Sequence, residues 1–352
     1  MPEPGLCAEL ERALVALPLV VEEVGCDLAD VAVPSYPGGV RPSATVTLAG
    51  RGRRGRGEHV LWTRRDHERF AAHALAGVPR GEWRLGEWAA EVARRTPSAH
   101  GRAALEAAGI DLALRQAEVN LFRLGGRRPA PVRYVVSFDR RADPVGEMRR
   151  QLARSPGLHF KLDVDPGWPP AVYDQLAAAG RVAILDFKGG GTRDDHQRAA
   201  DTVPDVLIED PDPAARPWPP KVAARVSFDA ALTAAGAIDG LPAPPAAINV
   251  KPARLGGVLE ALRLIGACGR RGVPVYFGGM FEVSVGRPQL WALAALLAPE
   301  APNDIAPIAT GAPSIPAPGS PEELPSLPER IVVDDAAAGF ARGVEGARVG
   351  MA

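Results

Sequence analysis

The chain has 352 residues, 46% of them hydrophobic, with a formal net charge of −1 and a pI near 6.6. That composition excludes a disordered chain, and its near-neutral charge gives no global field to draw nucleic acid or an anionic membrane. Cys7, Cys26 and Cys268 form no CxxC pair and read as reduced thiols of a cytoplasmic protein.

The N-terminal stretch carries acids and prolines without the basic start and unbroken apolar core of a signal peptide. No run approaches the roughly 18–20 apolar residues of a membrane span. Residues 1–131 predict an α+β unit: an extended arm (PSATVTLAG, a basic turn, GEHVLWT), then helical segments at 66–77, 87–95 and 98–123. The stretch GCDLADVAVPSYPGGVRPS carries no clear pattern. RGRRGRG at 51–57 invites a nucleic-acid reading. Four arginines among glycines at a hairpin, without aromatics, read instead as a solvated turn, so no nucleic-acid partner is expected.

From Val132 the pattern changes. Short aliphatic runs recur at 132–139, 158–164, 181–187, 205–210, 225–230, 247–252, 274–279 and 304–308, and most gaps hold one amphipathic helix. Strands alternating with helices imply a parallel sheet. Eight units are the number that closes a (β/α)8 barrel. An open doubly wound sheet fits less well, because no Gly-rich nucleotide fingerprint follows the first strand. The expected architecture is α/β: a capping α+β domain at 1–131, a (β/α)8-type barrel at 132–311, and a Pro-rich loop with a C-terminal segment at 312–352. Its IVVDD is expected to pack back on the first domain.

In such barrels the working residues sit at the carboxyl ends of the strands. Charges recur there: Lys161 and Asp163, Asp186 and Lys188, Glu209 and Asp210, Asp229, Lys251, Glu282, Asp304. Strand alternation places Lys161 with Asp163, opposite Phe160, Leu162 and Val164, and Asp186 with Lys188, opposite Leu185 and Phe187. One charge ending a strand usually marks a solvated loop. Asp186, Glu209 and Asp229 end strands three, four and five in succession, where neighbours lie about 4.8 Å apart, so three oxygen ligands converge on one hard cation. Oxygen-only ligation favours Mg²⁺ or Mn²⁺ over zinc.

These motifs resemble the enolase superfamily, in its muconate-cycloisomerase/mandelate-racemase-like branch, over nearly the whole chain. GRGEHV (55–60) looks like the Gly-x-Gly-Glu turn, and the helical text ending NLFRLGG looks like the helix leading into the barrel. FKLD (160–163) stands for Lys-x-Lys, LDFK (185–188) for Asp-x-Asn, and IEDP (208–211) for the Glu-Asp/Gln-Pro signature. SFDA (227–230) stands at the third ligand position. NVKPARLGG (249–257) and GGMFEVSVGR (278–287) are similar to motifs of o-succinylbenzoate synthases, N-acylamino-acid racemases and dipeptide epimerases. The resemblance implies a Mg²⁺-dependent isomerase or lyase. In that chemistry a carboxylate substrate chelates the metal while a lysine removes its α-proton to give a stabilised enediolate. Lys251 is the expected base or acid.

Two departures stand out. The second lysine of Lys-x-Lys is Asp163, and the Asn of Asp-x-Asn is Lys188. Either a lysine has moved across to the next strand, so that Lys188 oriented by Asp163 serves the face opposite Lys251, or the two form a structural ion pair and Lys161 only neutralises substrate. Asp210, Glu282 and Asp304 are candidates for substrate contact or for orienting the ligands. All six histidines precede residue 197, so strands six to eight supply none and the mandelate-racemase His–Asp dyad is not expected. His159 reads as a packed barrel residue and His196 as solvated. The competing reading is a catalytically silent barrel that binds metal or a carboxylate. The resemblance also implies a homo-oligomer; the substrate itself is not readable.

Overall fold

The computed structural model describes residues 5–33, 36–73, 75–308 and 327–340. In the N-terminal unit, helix α1 (Leu6–Val15) precedes β1 (Pro18–Val21), β2 (Glu23–Ala32), β3 (Val40–Gly50) and β4 (Arg53–His59). Helix α2 (Arg64–His73), β5 (Gly81–Arg84), α3 (Leu85–Arg95), α4 (Ala99–Gln116) and α5 (Leu121–Leu124) follow. β2, β3 and β4 form an antiparallel sheet, and β1 pairs with β5. The stretch without clear pattern therefore holds a ten-residue strand, β2. Among the described residues it pairs with β3, and its first half does alternate, half-buried Val24, Cys26 and Leu28 against exposed Glu23, Gly25 and Asp27. No position is fully buried, so the apolar side of the repeat is weak.

The basic run is a tight hairpin. Gly50 pairs with Arg53, and the two loop residues, Arg51 and Gly52, both have positive φ (51° and 68°), as a type I′ turn requires. On β4, Gly55 and Gly57 let α4 lie directly on the strand. A Cβ at Gly55 would stand 2.2 Å from Leu112 N, and one at Gly57 would stand 2.1 Å from Ala104 O. The predicted helix at 98–123 is interrupted: α4 ends at Gln116, Glu118 takes a positive φ, and the Asn120 side chain caps α5 by accepting from Arg123 N–H at 2.8 Å.

The barrel strands are β6 (Val135–Phe138), β7 (His159–Asp163), β8 (Val182–Asp186), β9 (Leu207–Glu209), β10 (Val226–Phe228), β11 (Ala247–Val250) and β12 (Val275–Phe277). They run parallel in sequence order through one sheet. The expected eighth strand contracts to a two-residue bridge: Asn303 pairs with Tyr134 and Asp304 with Gly278. Val135 N–H donates to Asn303 O at 2.8 Å and Asp304 N–H to Phe277 O at 2.7 Å, which brings the sheet round on itself. Helices α6 (Pro144–Arg154), α7 (Pro170–Ala179), α8 (Arg193–Thr202), α9 (Pro220–Ala223), α10 (Pro252–Leu255), α11 (Val258–Arg270) and α12 (Gly286–Leu297) accompany them. After β10 only a short 3₁₀ stretch, Ala235–Gly240, bridges to β11.

The barrel interior is layered. A small apolar cluster of Val135, Ile184, Ala247 and Tyr276 fills one level, apart from the main core that packs sheet against helices. Above it the inward positions turn polar: Lys161, Glu209, Ser227 and Asn249 are each at most 1% exposed. That switch puts the chemistry at the strand ends. Of the C-terminal segment, Ile331 bridges to Val132, and Phe340 N–H donates to Asp111 on α4 at 2.9 Å. The rest of the Pro-rich loop and the final residues lie outside the described ones.

Candidate active site at the strand ends

Parallel register brings the predicted carboxylates side by side. Asp163 pairs with Asp186, Asp186 with Glu209, and Glu209 with Ser227, two residues short of Asp229. Asp186 and Glu209 are almost wholly buried, and Asp229 is 5% exposed. Such a cluster requires counter-charge. Lys161 Nζ lies 2.9 Å from Asp186 Oδ2, in contact with Glu209 Oε1, and 3.4 Å from Asp304 Oδ2. Lys251 Nζ lies 2.8 Å from Asp229 Oδ2. Lys188 Nζ contacts Asp186 and stands 3.0 Å from Asp163 Oδ1.

The charges shape one another. Burial works against the Asp186 carboxylate, yet Lys161 and Lys188 hold it well below the usual carboxylate range. Burial likewise opposes charge on Asp229, and Lys251, Lys161 and Arg254 overcome it. Glu209 goes the other way: complete burial lifts it to about 8, with Lys161 opposing and Asp186 and Asp229 adding to the rise. Lys161 stays well above the ordinary lysine range, because Glu209, Asp304, Asp186 and Asp229 together outweigh its burial.

All these donors are oxygens. Of Asp186, Glu209 and Asp229, Glu209 alone is pushed up in pKa, by its complete burial between the other two. Oxygen donors of this kind would suit a hard divalent cation. Among the described residues, however, no three His, Cys, Asp or Glu side chains converge as a metal site, and Lys161, Lys188 and Lys251 occupy the carboxylates of Asp186, Glu209 and Asp229 instead.

Around this centre the other expected residues divide. Asp210, with positive φ, accepts from the N–H groups of Asp229 and Ala230 at 2.9 Å each, fixing the end of β10. Asp304 lines the cavity beside Lys161. Glu282 does not reach the cavity lining: it is buried, accepts from Met280 N–H at 3.0 Å and faces Arg287 Nη2 at 3.6 Å. The expectation for His196 is corrected. It is fully buried, its ring 4.5 Å edge-on to Phe187 and its Nε2 2.9 Å from Gly190 O, because it lies on the buried face of α8 against the loop after β8. His159 is half-buried and lines a separate hollow with Arg133 and Leu176.

Three contributors were not singled out from the sequence. Arg254, within the quoted NVKPARLGG, donates to Asp229 Oδ1 and, at 2.8 Å, to Asp229 O. Tyr276 donates its buried hydroxyl to Glu209 Oε2; its inward parity on a buried strand was the available signal. Glu58, the acid of GRGEHV, accepts from Val283, Ser284 and Gly286 N–H at 2.8 to 2.9 Å and from Ser43 Oγ at 3.0 Å. It ties the hairpin sheet to the loop after β12.

The cavity over these groups measures about 610 Å³ and is lined by Lys161, Lys188, Asp229, Lys251, Arg254 and Phe281 among others. A larger hollow of about 940 Å³ lies away from the strand ends, against Arg53, Arg54, Arg56 and Arg115. There Arg53 pairs with Glu118 at 2.8 Å and Arg115 with Asp111 at 2.9 Å.

Family models described as the N-terminal and C-terminal domains of DUF8230, a domain of unknown function, match residues 12–124 and 128–310. The chain belongs to the DUF8230 family. Its fold is that of the enolase superfamily. A mandelate racemase/muconate lactonizing protein from Herpetosiphon aurantiacus superposes with a TM-score of 0.75 at 18% identity, over 92% of this chain and 98% of that one. A dipeptide epimerase from Methylococcus capsulatus, solved with a Mg ion, gives 0.68 at 21% identity, over 79% and 88%. An N-succinylamino acid racemase from Amycolatopsis sp is 49% identical over 49 residues, 14% of this chain and 13% of the racemase. That match therefore spans only a small part of the racemase's length. No helix among the described residues is long and apolar enough to cross a membrane.

Proposed function

We propose that this DUF8230 chain is a Mg²⁺-dependent enzyme that removes the α-proton of a small carboxylate substrate, with epimerisation, racemisation or dehydration as the outcome. The observation that carries this reading is the arrangement of two lysines, Lys251 on Asp229 and Lys188 on Asp186 and Asp163, around the buried carboxylates in one cavity. Asp186, Glu209 and Asp229 would hold the cation. When bound, Mg²⁺ neutralises the substrate carboxylate and stabilises charge developing on it as the proton leaves.

The chain's own residues do the rest. Lys251 closes β11, is 9% exposed and lines the cavity, where it acts as the base or acid at the α-carbon. Arg254 and Lys251 share Asp229, so a guanidinium keeps that carboxylate charged while the amine changes its proton state. Of the two candidates for the second face, Lys188 is favoured. Its side chain is 43% exposed and Asp163 aims it, whereas Lys161 is 1% exposed and held by three carboxylates. Lys161 then serves as fixed positive charge beside the substrate carboxylate.

The test is deuterium incorporation from D₂O into a library of α-substituted carboxylates, with Mg²⁺ and with EDTA. Metal-dependent exchange is expected for at least one acid. Its absence from every acid would leave the silent barrel as the correct reading.

A further inference from the structure

The cavity has a charged floor and an apolar roof. Among the described lining residues the N-terminal unit contributes Trp62 alone, and the loop after β12 contributes Met280 and Phe281. Trp62 is an exposed tryptophan, 50% accessible, its ring 6.5 Å from that of Phe281. Phe281 has a left-handed backbone (φ 61°), which a bulky residue adopts only when its surroundings enforce it.

Arg41 supplies that enforcement. It is 1% exposed, between the Tyr36 and Trp62 rings at 5.2 Å from each centroid. Its Nε donates to Phe281 O and its Nη2 to Met280 O, both at 3.2 Å, and Nη1 donates to Leu61 O. All three nitrogens are committed to backbone carbonyls, so this cation is not available to a ligand. It holds Trp62 on one side and the carbonyls of 280 and 281 on the other.

From this we infer that the substrate carries, beyond its carboxylate, an uncharged apolar or aromatic group that packs on Trp62, Phe281 and Met280, with Arg41 as the positioning residue for that wall. A roof of two aromatic rings and a thioether gives contact area to such a group. The lining cation that touches it, Arg254, reaches Met280 Sδ at 3.9 Å through Nη2 and is already paired with Asp229 through Nη1. The inference rests on the proposed function only in placing the substrate carboxylate at the strand ends.

The experiment is calorimetric titration of the full chain in Mg²⁺ with three acids of similar length: 3-phenylpropanoate, glutarate and 6-aminohexanoate. The aryl acid is expected to bind at least about tenfold tighter than either charged one. Trp62→Ala should cut the aryl-to-glutarate affinity ratio by about tenfold and Trp62→Phe should restore most of it, which a merely structural role would not do. Arg41→Met should lower the same ratio. Equal or tighter binding of glutarate or 6-aminohexanoate, or a ratio unmoved by Trp62→Ala, overturns the inference. Aryl preference without deuterium exchange in any acid sinks the proposed reaction and leaves the inference standing. Exchange in dicarboxylates without aryl preference does the reverse, and no binding by any acid overturns both.

Discussion

The floor and the roof of one cavity are built on different principles. The floor follows from register: once β7 to β11 run parallel and in order, Asp163, Asp186, Glu209, Asp229 and Lys251 have nowhere to end but together. The roof follows from tethers. Trp62 and Phe281 lie in loops more than two hundred residues apart, and they meet because Glu58 and Arg41 bind the loop after β12 through its backbone. A floor built by register tolerates change in its side chains while keeping its shape, whereas a tethered roof depends on a few buried groups.

The largest effect should come from the floor. Lys251→Met removes the proposed acid/base group, so exchange should fall roughly a thousandfold. It also strips one of two cations from buried Asp229, so some stability is lost, less than in Lys161→Met because Arg254 still pairs with that carboxylate. Lys188→Met should also lose exchange at the second face, and full exchange in that variant would return Lys188 and Asp163 to a structural ion pair. Lys161→Met should behave differently again. Stripping the ammonium from between Glu209 and Asp186 leaves buried carboxylates unpaired, at a cost of about 3–5 kcal/mol, seen in urea unfolding before any assay.

On the roof, Glu58→Ala leaves the N–H groups of Val283, Ser284 and Gly286 without their acceptor. At about 1–3 kcal/mol for each unsatisfied buried donor, a loss of about 3 kcal/mol or more is expected, partly relieved by water. Hydrogen exchange should show it first at 280–286. Uniform loss of protection across the barrel would mean that floor and roof are one cooperative unit, and the contrast would fail.

The two walls also differed in how legible they were. Strand parity set Lys161 with Asp163 and Asp186 with Lys188 opposite the apolar positions, because a two-residue repeat leaves no freedom once the strand is recognised. Lys161 and Asp186 are found inside the barrel, in contact with each other. The eighth strand shrank to Asn303 and Asp304, since closure here needs only a few hydrogen bonds. His196 was misread because it follows the loop after a strand, whereas it lies on the buried face of α8 with Ala199 and Ala200, against Phe187 and the Gly189–Gly191 turn. Arg41 could not be found by pattern. It sits in a stretch with no periodicity, and its role depends on carbonyls 239 and 240 positions away.

Glu106 gives a pH test of a second tether, the contact from α4 to the start of α11. Its carboxylate accepts from Leu259 N–H at 3.0 Å, and complete burial lifts it from the ordinary 4.5 to about 7. Between those values the folded protein keeps a proton that the unfolded chain releases, so stability falls as pH rises from about 4.5 through 7. Relative to Glu106→Gln, which keeps an acceptor oxygen without the charge, the native chain should lose up to about 3 kcal/mol across that window. Below pH 4.5 the two curves should run level. A flat difference at all pH values would show Glu106 to be hydrated, and the tether to be weaker than its burial implies.

The smallest effect is expected where the same two units meet in solvent. Arg263 on α11 pairs with Glu11 on α1 at 2.7 Å and with Glu260 at 3.1 Å, but its side chain is 51% exposed. Water competes for both partners, and holding long side chains in one geometry offsets much of the attraction, so Arg263→Met should cost no more than about 0.2–1 kcal/mol. The loss should shrink in high salt. A salt-insensitive loss of several kcal/mol would mean that Arg263 works through its buried stem against α1, placing the α1–α11 contact beside Glu58 and Glu106 among the buried tethers.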